Sequence, residues 1–219
     1  MTSRMGPHAQ QSPLIAGVAL GEATHALVLT HGRGGSAEGM LPIARAAKAQ
    51  QAALVAPVAA GNSWYPDRFL VTRARNEPWL SSALQSLDHA VELARDAGIP
   101  NERIVLVGFS QGACLTLDYV AQQSVAGVRF GGVAALAGAL IGDDIEFLAA
   151  ERTGNLHGTP VLLACGTADA HIPEARVRAT AEVFSRLGAT VDLQLYANVG
   201  HDIVGDEVQR LAAMVAAVA

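Results

Sequence analysis

The chain has 219 residues, enough for one substantial hydrophobic core, so the expectation is a single domain over 1–219 with 1–13 as a flexible N-terminal extension. At 51% hydrophobic and 16% charged residues its composition excludes a disordered chain. Fifteen Lys plus Arg against 20 Asp plus Glu give a formal charge of -5, and the lack of basic clusters excludes a nucleic-acid partner.

Cys114 and Cys165 lie in apolar surroundings and read as buried free thiols of a reducing compartment. Residues 1–13 carry no signal-type apolar run, and no window reaches the roughly 18 apolar residues of a membrane span. The expectation is a cytoplasmic protein without stable membrane insertion.

Residues 14–19 and 26–30 read as the first strands, joined by a turn at Gly21-Glu22. The second runs into His31-Gly32-Arg33-Gly34-Gly35-Ser36. A glycine-rich loop after a strand can cradle phosphate, but the P-loop lysine is absent and the G-x-G-x-x-G spacing is not met. A helix over 40–51 and a strand over 52–58 follow. Residues 59–78 are irregular and hold Trp64, Tyr65 and Phe69. Long loops of this kind are often functional, and two readings stand: the aromatics wall a substrate pocket, or they pin the loop to the domain.

A long amphipathic helix over 79–97 ends at Gly98. Ile104-Val105-Leu106-Val107 then reads as a buried strand that leads through Gly108-Phe109-Ser110-Gln111-Gly112 into a helix running to Gln123. G-x-S-x-G between strand and helix is the context of a nucleophile elbow. Strands over 129–136, 160–165 and 190–196 alternate with helices over 143–151, 174–187 and 202–219. This alternation predicts an α/β fold with a mostly parallel central sheet and helices on both faces. Strand carboxyl ends converge on one crevice in such a fold.

Three of those ends carry Ser110, Asp169 and His201. A serine needs a base within hydrogen-bond reach and a third group to orient that base. His201, just before the last helix, suits the base, and Asp169 suits the orienting group. Asp202 adjoins His201 too closely in sequence to reach the back of its ring. Asp143 and Asp144 read as helix caps, and His171 as a residue that fixes its loop. The backbone N–H groups of Arg33 and Gln111 can form an oxyanion hole. The Arg33 guanidinium is a candidate to meet a substrate carboxylate, and His31 reads as structural, its ring hydrogen-bonded beneath the loop. His25, His31, His157, His171 and His201 have no close ligand spacing, so no metal is expected.

With His31-Gly32-Arg33-Gly34-Gly35, Asn62-Ser63-Trp64-Tyr65, Gly108-Phe109-Ser110-Gln111-Gly112-Ala113, the stretch from Cys165 to Asp169 through Ile172-Pro173, and Gly200-His201, the chain resembles the phospholipase/carboxylesterase family of α/β-hydrolases. That group includes acyl-protein thioesterases and small bacterial carboxylesterases. The resemblance implies an α/β-hydrolase fold without a large cap domain, a Ser110-Asp169-His201 triad, an oxyanion hole at Arg33 and Gln111, and no cofactor. The expected substrate pocket comprises Trp64, Tyr65, Phe69 and Ile172. Gly34-Gly35 stands where thioesterase-like members carry Gly-Asp, and Trp64-Tyr65-Pro66 where they carry Trp-Phe-Asp. Both departures turn the expectation toward a small-molecule carboxylesterase. The alternatives are an acyl-protein thioesterase or lysophospholipase acting on a thioester or lipid ester, and a non-catalytic binding domain on the same fold. Dimers are common among soluble enzymes, so a homodimer is one candidate assembly, with no stretch that argues for it.

Overall fold

The computed structural model describes residues 6–144 and 154–219. Seven strands form one sheet in the order β1-β3-β2-β4-β5-β6-β7. They are β1 (Leu14–Gly17), β2 (Ala26–Thr30), β3 (Ala53–Ala56), β4 (Ile104–Phe109), β5 (Gly132–Leu136), β6 (Pro160–Gly166) and β7 (Thr190–Tyr196). Only β1 is antiparallel to its neighbour, so the sheet is mixed and mostly parallel.

The helices are α1 (Ala37–Ala46), α2 (Trp79–Asp96), α3 (Gln111–Gln123), α4 (Glu174–Arg186) and α5 (Gly205–Ala216). Because strand side chains alternate between faces, β4 sends Ile104 and Leu106 into one core and Val105 and Val107 into the other. The first core is completed by α2, α3 and α4 through Leu80, Leu87, Leu115, Val177 and Phe184. The second is completed by α1 and α5 through Met40, Ala44, Leu211 and Val215. Both faces of the central strands are therefore dry, which explains why they read as unbroken apolar runs rather than alternating ones. No large cap domain is inserted among the described residues.

Three boundaries move for local reasons. Helix α1 starts three residues earlier than expected, because the Ser36 hydroxyl accepts the Gly39 amide and caps it. Strand β1 stops at Gly17, whose φ of 74° turns the chain out of the sheet. Helix α5 begins at Gly205, since Val204 before it is still extended. The short helix expected over 143–151 falls mostly outside the described residues. Within the N-terminal segment 1–13, the described part from Gly6 onward is tied to the domain by side-chain contacts. His8 is wholly buried, accepts the Ala60 amide at Nδ1 (3.0 Å) and donates from Nε2 to the Trp64 carbonyl (2.9 Å). Among the described residues no helix is long and apolar enough to cross a membrane.

Candidate active site

Ser110 sits between β4 and α3 with φ 54° and ψ -120°, a conformation that a residue with a side chain rarely adopts. Two glycines make the bend possible. A Cβ on Gly108 would lie 2.5 Å from the Gly112 carbonyl oxygen, and one on Gly112 would lie 2.2 Å from that of Thr30. The elbow is thus packed backbone to backbone against the end of β2, with the Ser110 amide donating to the Leu136 carbonyl (2.9 Å) of β5.

Two neighbouring loops are tied together at the far side. A Cβ on Gly166 would meet the Val199 carbonyl oxygen at 2.1 Å, and that same oxygen accepts the Ala168 amide at 2.9 Å. The turn after β6 and the turn after β7 are therefore packed together, which brings Asp169 to His201. Asp169 Oδ2 accepts from His201 Nδ1 at 2.7 Å, and His201 Nε2 accepts the Ser110 hydroxyl at 2.8 Å. The other carboxylate oxygen, Oδ1, accepts the His171 and Ile172 amides at 2.7 and 3.0 Å. Burial by itself would raise the Asp169 carboxyl, but the hydrogen bonds from His201, Ile172 and His171 outweigh it and hold it below the ordinary carboxylate range. The imidazole of His201 is clamped between Phe109 (centroids 5.2 Å apart) and the edge-on ring of His171 (4.9 Å). Asp202 is used locally, its Oδ1 accepting the Ile203 amide.

The glycine-rich loop after β2 passes directly over Ser110, where a Cβ on Gly32 would be 3.2 Å from the serine Cβ. Its amides are assigned in sequence. Gly34 donates to Asn62 and Gly35 to Gly32, while the amides of Arg33 and Gln111 have no acceptor among the described residues. Two open N–H groups thus flank the serine, one at a helix start. His31 lies beneath the loop as expected, donating from Nδ1 to the Gly32 carbonyl at 2.8 Å.

A cavity of about 410 Å³ opens over Ser110 and His201. Tyr65, Phe69 and Ile172 line it, together with Cys114, His171 and the run Pro66-Asp67-Arg68. Trp64 does not, and that placement is corrected. Its indole is fully buried under the loop, donates from Nε1 to the His31 carbonyl (2.8 Å), and packs against the rings of His31 and His8. Tyr65 and Phe69 thus border the cavity, while Trp64 pins the loop to the domain. The Arg33 guanidinium, on the rim of the cavity, donates to the carbonyls of Pro66 (2.9 Å) and Asp67 (2.6 Å).

Two structural roles had no signal in the sequence. The Gln111 side chain accepts the Trp64 amide (2.9 Å) and donates to the Tyr65 carbonyl (2.8 Å), fixing the aromatic wall. Cys165 places its Sγ 3.6 Å from Asp169 Oδ2. Burial, and then the adjacent Asp169 charge, push that thiol up to about 12. No cluster of side chains among the described residues could hold a metal ion.

Known proteins match this arrangement along nearly the whole chain. The crystal structure of a phospholipase/carboxylesterase from Dyadobacter fermentans superposes with a TM-score of 0.89 at 34% identity, covering 97% of this chain and 99% of that one. Esterase PE8 follows with a TM-score of 0.76 at 25% identity, covering 95% and 99%. Acyl-protein thioesterase 1 of Yarrowia lipolytica is 31% identical over 109 residues, 49% of this chain and 46% of that protein. The matched stretches thus span about half the length of the curated relatives. The family model described as Phospholipase/Carboxylesterase matches residues 18–219, and the chain belongs to that family.

Proposed function

We propose that the protein is a serine esterase that hydrolyses carboxylic esters of small molecules, with Ser110 as nucleophile, His201 as general base and Asp169 as the group that orients it. The observation that carries this is the chain of hydrogen bonds from Asp169 through His201 to Ser110, at 2.7 and 2.8 Å, opening onto the cavity. Ser110 attacks the acyl carbonyl as His201 Nε2 takes its proton, and the ionised Asp169 stabilises the imidazolium that forms. The open amides of Arg33 and Gln111 receive the oxyanion. His201 then protonates the departing alcohol, and a water activated by the same nitrogen hydrolyses the acyl-enzyme.

The cavity's size favours compact substrates. About 410 Å³ lies toward the lower end of the roughly 300–1,000 Å³ typical of small-molecule sites, and buried Tyr65 and Cys114 are among its walls. A thioester remains the second reading, favoured by the name of the Yarrowia lipolytica relative, since the same machinery cleaves both bonds. The free thiols of Cys114 and Cys165 support a reducing, cytoplasmic setting.

The test is intact-protein mass spectrometry after exposure to a fluorophosphonate, followed by kcat/KM across p-nitrophenyl esters from acetyl to palmitoyl. One adduct, lost in Ser110→Ala, with a short-chain optimum is the expected result. Wild-type turnover in Ser110→Ala would overturn the mechanism, and a long-chain optimum would overturn the substrate class.

A further inference from the structure

The charges on the cavity wall are unequally engaged. Among its lining residues the fixed charges are Arg33, Asp67 and Arg68. Asp67 is the one carboxylate, and both its oxygens are occupied. Oδ2 pairs with Arg75 at 2.6 Å and Oδ1 accepts the Arg68 amide at 2.8 Å. Arg33 is held by two backbone carbonyls, which are dipoles and do not neutralise it. Arg73, on the same loop, is neutralised away from the cavity by Asp118 at 2.7 Å. The Arg68 guanidinium has neither a carboxylate nor a carbonyl partner among the described residues, and the residue is exposed. An overall acidic chain, with formal charge -5, therefore carries two guanidinium groups without carboxylate partners around the mouth of its cavity.

Building on the esterase reading above, we infer that the site selects esters bearing a second, anionic group, a carboxylate being the simplest, which Arg68 receives while Arg33 adds its field. A planar guanidinium donates two parallel hydrogen bonds to a carboxylate. A cleft with low-dielectric walls also concentrates the field that draws the anion in. The anion can sit on the acyl part or on the leaving group, and either would place a charge within a cavity that already holds the scissile carbonyl at Ser110.

The experiment measures kcat/KM for two matched pairs at low salt and in 0.5 M NaCl, roughly the range over which screening of exposed charges becomes strong. The acyl pair is the p-nitrophenyl monoester of adipic acid and its neutral methyl ester. The leaving-group pair is 3-carboxy-4-nitrophenyl butyrate and p-nitrophenyl butyrate. At low salt one pair should favour its anionic member by about tenfold, a ratio that falls as salt rises. Arg68→Gln should collapse that ratio, Arg68→Glu should invert it, and Arg68→Lys, which keeps the charge but lacks the planar two-donor fork, should retain only part of it. The pair that responds identifies which side carries the anion. Ratios near one in both pairs, or a preference indifferent to Arg68, would overturn the inference while leaving the esterase reading intact. Failure to hydrolyse any of the four probes would instead overturn the esterase reading.

Discussion

Asp169 and His201 are joined through Oδ2 and Nδ1 at 2.7 Å, and the aspartate side chain making that bond is wholly buried. Its second oxygen is saturated by two backbone amides, so the carboxylate is fixed before any substrate arrives. Asp169→Asn keeps the shape but turns an acceptor into a donor opposite Nδ1, forcing the wrong tautomer. The expected loss in kcat is about 10⁴-fold, measured with p-nitrophenyl butyrate. A loss under tenfold would remove Asp169 from the mechanism.

Glu207 gives the fold a pH dependence distinct from that of catalysis. It lies in the first turn of α5, is fully buried, and neither of its oxygens has a hydrogen-bond partner among the described residues. Burial, with a further push from the charges of Asp202 and Asp206, raises it from 4.5 to about 7. The folded chain thus holds this proton to higher pH than the unfolded chain. Stability should fall as pH rises from about 4.5 to 7 and stay reduced above, by an amount on the order of 3 kcal/mol. Denaturant melts of wild type and Glu207→Gln at pH 4.5 and 8 check this. The variant should gain on wild type by that order between the two conditions, and parallel pH dependence would refute it.

The irregular segment between β3 and α2 is anchored to α3 by Arg73 and Asp118, whose side chains are 30% and 0% exposed. Arg73→Ala removes a charged partner of the buried Asp118 carboxylate, to which the Gln122 amide also donates. Because Arg73 is partly solvated, the expected cost is about 2 kcal/mol, below the roughly 3–5 typical of a fully buried pair. The change should also raise KM, since the anchored segment carries Phe69. Urea melts and steady-state kinetics give both quantities, and an unchanged melt would show that the pair contributes nothing.

Gly112→Ala should be far worse than an ordinary helix substitution. Alanine normally favours a helix over glycine, but here its Cβ would sit 2.2 Å from the Thr30 carbonyl oxygen. The expected loss is about 3 kcal/mol or more, read as a lower thermal midpoint or failure to accumulate folded protein. Gly39, whose nearest neighbour to a built Cβ is 3.7 Å away, is the control: alanine there should be tolerated.

What could be read in the sequence was what local pattern determines. The apolar run of β4 with its G-x-S-x-G, the alternation of strands and helices, and the placement of Ser110, Asp169 and His201 after strands all follow from short-range chemistry, and the geometry brings those three together. What could not be read depends on partners distant in the chain. His8 has no periodic neighbours to mark it as buried, because its partners Ala60 and Trp64 are more than fifty residues away. Trp64 looked as much like a wall as a pin, and only the position of the His31 carbonyl decides between them. The Arg33 side chain fastens the segment after Trp64 through the carbonyls of Pro66 and Asp67, contacts more than thirty residues away that no local pattern marks.

Gln111 offers its backbone N–H beside the serine while its side chain clasps Trp64 and Tyr65. In the proposed mechanism one residue would thus serve both the oxyanion and the cavity wall, so Gln111→Ala is expected to disturb the wall while leaving the backbone N–H in place. The segment from Pro66 to Arg75 has no such double duty; it is fastened by Arg33, Arg73 and Asn76 at separate points. A residue of that segment that lines the cavity, such as Arg68, can therefore be exchanged without touching the elbow.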